Sequence, residues 1–334
     1  PRQAEKLIEE LQFDEGVNSC VTPGVKVGLS QIDEDKPLNA ERHTLFRALA
    51  ARANYLAADR PDCQFAAKEV CRWMSAPTEL AMSALKRLAR YLLGRPRLVF
   101  TYPFQAAGCV DAYSDTDWAG YPKTRKSTSG AVILLGSHIL KTYASTQPTI
   151  SLSSGEAEFY GVVRATGAAL GQRSLFRDFG IDVGVRVWTD SSASIGISTR
   201  QGLGKLRHID THTLWIQERV RTRDVELREV RGECNPADLL TKHLPSREKL
   251  DQLIALYGCD FRGGRAASAP LLRKRKAEEL PDVHNKQGSV VHVLENVDLR
   301  RQVLIQEACV HDVSRWPHLH SDQDMEKMFQ NLRD

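Results

Sequence analysis

Between Asn39 and Gly94 the apolar residues return every three to four positions, the spacing that lines them along one face of a helix. Asn39 is placed to cap a first helix before Glu41, with Leu45, Phe46, Leu49, Ala53 and Leu56 on its inner side. Pro61 opens a second, which runs through Phe65, Val70 and Met74. Thr78 caps a third with Leu80, Leu85, Leu88 and Leu92 as its stripe, and Gly94 with Pro96 stops it. Lys86, Arg87 and Arg90 occupy the other side of that helix, with Arg95 and Arg97 at its exit. A solvated face is the simpler reading of this charge, and a phosphate-contacting face the alternative. Ahead of the three helices, an amphipathic opening (Lys6, Leu7, Ile8, Leu11) gives way to an irregular polar stretch ending at Pro37.

After Pro103 the pattern changes. Residues 110–115, 128–135 and 138–144 read as strands, with Gly136-Ser137 as a hairpin turn between the last two. A helix over 153–179, a strand over 185–189, helices over 192–198 and 209–221, a strand over 225–230 and a helix from Pro236 follow. The order βββ-α-β-α-α-β-α predicts an α/β mixed five-stranded sheet with flanking helices, preceded by a small helical subdomain. From about Gly263 the sequence GGRAASAP is linker-like and RKRK at 273–276 is a short basic run; residues 289–310 have room for one strand and one helix.

Composition narrows the picture only a little. The 334 residues suit two or three domains, and 42% hydrophobic with 26% charged residues is ordinary for a chain that builds a core. A net charge of +4 leans weakly toward an anionic partner. Seven scattered cysteines with no CxxC pair point to neither a disulfide framework nor a zinc ribbon, so a reducing intracellular compartment, cytoplasmic or nuclear, is expected. No apolar run reaches membrane-spanning length and the start carries no signal-peptide pattern. Because the first residue is Pro1, the chain is expected to be a piece of a longer one or an excised product.

The chemistry lies in the acids. YSDTDWAG places Asp115 and Asp117 two apart on a strand, hence on one face, with Asp111 in line. Like charges crowded in this way call for a cation between them. In SSGEAEFY, Ser153 and Glu156 fit a capping box, which gives Glu156 a structural task. Glu158 has none. It heads a stripe of Gly161, Val162 and Ala165 suited to close packing on the sheet, where an isolated carboxylate is costly. Asp190 ends the strand VRVWT, and an N-cap is its bland alternative. Asp238, in NPADLLTK, falls in a first helical turn, where an acid can simply complement the helix dipole. Taken together, strand ends and helix starts bring Asp115, Glu158, Asp190 and Asp238 toward one sheet edge. Oxygen-only ligands suit Mg²⁺, with Mn²⁺ as the other option. Two such ions about 4 Å apart suit in-line phosphodiester cleavage.

These motifs, with RKSTSGAVILLG, WTDSSASI, RHIDTH and NPADLLTKHLP in this order, resemble the ribonuclease H domain of copia-type retrotransposon Pol polyproteins. The stretch from AARANYLAADR to RYLLG resembles the reverse-transcriptase thumb and connection region preceding that domain, and the likeness spans roughly residues 38–247. It implies a thumb/connection-like region (38–103) and a ribonuclease H-like domain (104–260), which leaves an N-terminal segment (1–37) and a partly disordered tail (261–334) as the remaining expected parts. It also implies an Asp-Glu-Asp-Asp site made of Asp115, Glu158, Asp190 and Asp238, with Asp117 as support. The implied activity is metal-dependent cleavage of the RNA strand of an RNA–DNA hybrid during reverse transcription. Two Mg²⁺ ions would serve it, and the polymerase portion of the same polyprotein would be a partner.

Candidate phosphate contacts are Lys123, Arg125 and Lys126, with Lys205 and Arg207 on a separate loop. The loop VRGECNP lacks the His that cellular ribonucleases H carry, and the polymerase Tyr-x-Asp-Asp strand is absent from this chain. His208 and His212 are four apart without nearby cysteines, a pattern that is more often structural than metal-binding. The alternative function is a catalytically silent remnant that only grips nucleic acid, against which the presence of all four acids counts. An integrase would order its acids Asp, Asp, Glu, which this chain does not.

Overall fold

The structure is a computed structural model that describes residues 2–14, 16–204 and 206–266. The expected helices form first along the chain. α1 (Arg2–Glu10) buries Ala4 and Leu7, and α2 (Leu29–Asp33) is a short addition within the irregular stretch. α3 (Ala40–Ala57) starts on Asn39, whose Oδ1 accepts the Arg42 N–H at 2.9 Å. α4 (Pro61–Cys71) has proline at its first position, and α5 (Glu79–Gly94) is capped by the Thr78 hydroxyl. Arg87 donates to Thr22 Oγ1 at 3.0 Å and Arg90 to the Asn18 carbonyl at 2.7 Å, so both residues pin the irregular stretch to α5.

A short strand, β1 (Arg97–Phe100), follows at once. β2 (Cys109–Asp117), β3 (Thr128–Leu135) and β4 (His138–Thr146) make an antiparallel meander. α6 (Ser154–Asp178) crosses back to β5 (Gly184–Thr189), parallel to β2. α7 (Ser192–Thr199), a 3₁₀ turn (Thr211–Leu214) and α8 (Trp215–Arg221) lead to β6 (Glu226–Glu229), parallel to β5. The sheet order is β4-β3-β2-β5-β6, a mixed five-stranded arrangement with flanking helices as the sequence order implies.

One local reading needs correction, and two short strands add to the expected elements. The helix expected from Pro236 is a 3₁₀ turn (Pro236–Leu240), and the α-helix starts later, as α9 (Arg247–Ala255) capped by Ser246. Pro245 accounts for the break, since the residue before a proline is driven out of helical geometry. β7 (Cys259–Arg262) then pairs antiparallel with β1, Arg97 facing Arg262 and Phe100 facing Cys259. Four-residue strands carry too few repeats to announce themselves by period. The basic run at 273–276 and the elements expected over 289–310 lie outside the described residues.

Each face of the sheet has its own core. Ala131 and Ile133 of β3 join Val110 and Ala112 of β2 beneath Phe159, Val162 and Ala165 of α6. The alternate residues of β3, Val132 and Leu134, join the core of α1, α3, α4, α5 and α9. Burying apolar side chains on both faces is why β3 reads as a near-continuous hydrophobic run.

Candidate active site

Asp115 lies near the end of β2, opposite Gly130 of β3. The absence of a side chain at Gly130 shapes what comes next. A Cβ there would sit 2.7 Å from Leu240 Cβ and Thr241 Cγ2, so only glycine lets the Pro236–Leu240 turn rest on the sheet. Asn235 holds the turn in place: its Nδ2 donates to the Ser114 carbonyl at 2.9 Å and its Oδ1 accepts the Ala237 N–H at 3.1 Å. Tyr257 donates its hydroxyl to the Pro236 carbonyl at 2.8 Å. Thr241, at the end of the turn, donates its hydroxyl to Asp115 Oδ2.

Glu158 comes from the first turns of α6. That helix is pressed on β2 through Gly161, where a Cβ would meet Thr116 Oγ1 at 2.6 Å and Ser114 Oγ at 3.0 Å. Asp190 follows β5, whose parallel pairing with β2 sets the two carboxyl ends side by side. One oxygen each from Asp115, Glu158 and Asp190 lies within 4.8 Å of the other two, the only such acid, His or Cys group among the described residues. Asp238 stands beside this trio. Its Oδ1 accepts from Lys242 Nζ at 2.6 Å, and the same ammonium is 3.4 Å from Asp115 Oδ2.

The electrostatics follow from crowding. Burial pushes the Glu158 carboxyl up to about 9, with Asp115 and Asp190 adding to the effect. Asp190 is raised by burial and then by Asp115. Asp238 is raised for the same two reasons, against the opposing pull of Lys242. Burial alone would lower the Lys242 ammonium, but Asp115 and Asp238 turn the net shift upward. Glu158 is only 9% exposed and its Oε2 has no hydrogen-bond partner. A buried, unpartnered carboxylate oxygen among oxygen-only donors fits a hard divalent cation.

The other sequence candidates take distinct places. Asp111 is held by Arg186 at 2.7 Å and the Trp188 indole N–H at 2.8 Å, which removes it from the cluster. Asp117 is half-buried at the end of β2, and burial raises its carboxyl. Glu156 accepts from the Leu152 N–H at 3.0 Å and pairs with His208 at 2.9 Å, while Ser153 Oγ accepts the Glu156 N–H. His212 is exposed, 4.0 Å from Asp210. Lys123 and Arg125 are exposed and Lys126 half-buried on the turn after β2, and Arg207 is exposed on its own loop. Lys205 lies outside the described residues. A cleft of about 860 Å³ is lined by Asp117 and Lys242 and by Glu69, Lys86 and Arg87, so it meets the site at Lys242 and not at the trio itself.

Sequence reasoning missed Lys242, Thr241 and Gly232. Lys242 stands four residues after Asp238, a spacing that already suggests an ion pair. Thr241 carried no signal. Gly232 is explained only by the fold, since a Cβ there would stand 3.1 Å from Asp190 Oδ2.

No protein-family model matches the chain. It is 29% identical over 204 residues to the retrovirus-related Pol polyprotein from transposon RE1 of Arabidopsis thaliana, a match covering 60% of this chain and 14% of that one. It is 26% identical over 201 residues to the Pol polyprotein from transposon TNT 1-94 of Nicotiana tabacum, covering 60% and 15%. Among solved structures, LC11-RNase H1 in complex with an RNA/DNA hybrid aligns with 40% of this chain and 93% of its own, at 17% identity and a TM-score of 0.27. The chain thus spans about one-seventh of the length of these Pol polyproteins. Over a shared stretch of some 200 residues that includes the ordered motifs around Asp115, Glu158, Asp190 and Asp238, the homologues of this chain are copia-type retrotransposon Pol polyproteins.

Proposed function

We propose that this chain carries the ribonuclease H activity of its polyprotein and cuts the RNA strand of an RNA–DNA hybrid. The observation that carries the reading is the convergence of Asp115, Glu158 and Asp190 from a strand, a helix and a strand end, with Glu158 Oε2 buried and unpartnered. Asp115, Glu158, Asp190 and Asp238 would hold Mg²⁺ or Mn²⁺. When bound, the metal supplies Lewis-acid stabilisation of the phosphate charge and a more acidic water. The protein's own part is positional. Gly161 and Gly130 allow α6 and the Pro236–Leu240 turn to approach β2, and Thr241 orients the Asp115 carboxylate. Lys123, Arg125, Lys126 and Arg207 would meet backbone phosphates, which gives binding without base preference. Contacts with 2′-hydroxyls across the wide minor groove would mark the RNA strand. The polymerase portion of the polyprotein is the expected partner in delivering the hybrid.

Cleavage of an end-labelled hybrid in Mg²⁺ tests the reading. Asp190→Asn keeps the shape of the side chain and removes its charge. It is expected to lower cleavage at least about a hundredfold with unchanged circular dichroism. Cleavage by Asp190→Asn at the wild-type rate would refute the assignment.

A further inference from the structure

Among the described residues, Lys242 is the one cation ion-paired with any of the four acids. Its ammonium is 2.6 Å from Asp238 Oδ1 and 3.4 Å from Asp115 Oδ2, so it bridges them as a small cation would. Asp115 also groups with Glu158 and Asp190, neither of which forms an ion pair with an ammonium or guanidinium among the described residues, and Glu158 Oε2 lacks any hydrogen-bond partner. The site is therefore divided. One edge has a positive charge in direct contact, and the other feels the same charge only at a distance.

We infer that Lys242 is a positioning residue that serves as a built-in counter-ion on the Asp115–Asp238 edge, so that the Asp115–Glu158–Asp190 side takes a divalent ion readily while a second ion must displace the ammonium. This rests on the metal-site reading above and adds an order of occupancy to it. The device is mechanically simple. The Lys242 side chain is 44% exposed, and it lines the cleft of about 860 Å³, so the ammonium has water to move into when it leaves. Thr241 keeps its hydrogen bond to Asp115 whether or not its neighbour moves, because the hydroxyl belongs to the anchored turn. A surface pair with no such role would leave ion affinity alone, since exposed pairs contribute little.

Mn²⁺ is the probe, titrated into the metal-stripped 334-residue chain, with free Mn²⁺ followed by electron paramagnetic resonance. The wild type is expected to bind one ion tightly and a second more weakly. Lys242→Gln and Lys242→Ala, which remove the charge, are expected to strengthen the second ion about tenfold and to change the first by less than about threefold. Lys242→Arg retains the charge and should behave as the wild type. Equal second-ion affinity in the wild type and both neutral variants overturns the inference and leaves the nuclease reading intact. Failure of wild type and variants alike to bind any Mn²⁺ removes both.

Discussion

Glu158→Gln separates what this carboxyl costs the fold from what it gives the site. The group has an ordinary value of 4.5 and rises to about 9 in the metal-free protein, first through burial and then through Asp115 and Asp190. Between those two values the native state holds a proton that the unfolded chain has released. The contribution of the neutral acid to stability is thus complete below pH 4.5 and is lost as the pH rises through about 9. Each pH unit inside the window costs up to ~1.4 kcal/mol. From pH 5 to pH 8 the ceiling is about 4 kcal/mol, and water reaching the sheet edge reduces a realistic value to about 2 kcal/mol. Glutamine has the shape of the protonated acid and never ionises.

In EDTA, urea unfolding of the wild type should therefore weaken from pH 5 to pH 8 more steeply than that of Glu158→Gln. The variant should gain about 2 kcal/mol at pH 8, roughly 1 M urea in midpoint, and almost nothing near pH 5. Mg²⁺ should reverse the order, stabilising the wild type by ~2.7 kcal/mol at a hundred times its dissociation constant and the variant far less. Parallel pH profiles in EDTA would refute the reasoning, as would equal stabilisation of both proteins by Mg²⁺.

Gly130→Ala should lower stability by about 1–3 kcal/mol, because the added methyl must push Leu240 and Thr241 off the sheet. Hybrid cleavage should fall at least about tenfold with it; unchanged melting and cleavage would show that the turn is free to move. Arg60→Met should be worse, costing about 3–5 kcal/mol. It strands Asp62, whose fully buried carboxylate accepts from Arg60 at 2.7 Å and from the Tyr91 hydroxyl at 2.7 Å. Chemical denaturation should show the loss and its recovery in Arg60→Met/Asp62→Leu, and a single variant as stable as the wild type would contradict it.

Much of the architecture was legible because its signals are local. Asn39, Thr78 and Ser153 announced helix starts through their caps, and Gly136-Ser137 announced the hairpin. Glu158 could be singled out before the structure because a capping role was already taken by Glu156 and the small residues behind Glu158 implied tight packing. What escaped depends on partners distant in the chain. β1 and β7 are four residues each and find one another across the whole five-stranded sheet. Glu156 has a second task, holding His208, which no local spacing reveals. Arg87 and Arg90 look like a solvated or phosphate-facing row in sequence, yet they fasten residues 18 and 22. Asp238 was placed in a helix that proves to be one 3₁₀ turn, because close approach to Gly130 and the coming Pro245 outweigh helix propensity.

The β1–β7 ribbon gives the molecule a drawstring. Everything from Phe100 to Cys259 is a loop cinched at its neck by paired backbone, with the Arg95 guanidinium clasping Asp251 and lying over the Phe261 ring. A fragment trimmed to begin after this first strand would leave residues 259–262 as a bare edge inviting association.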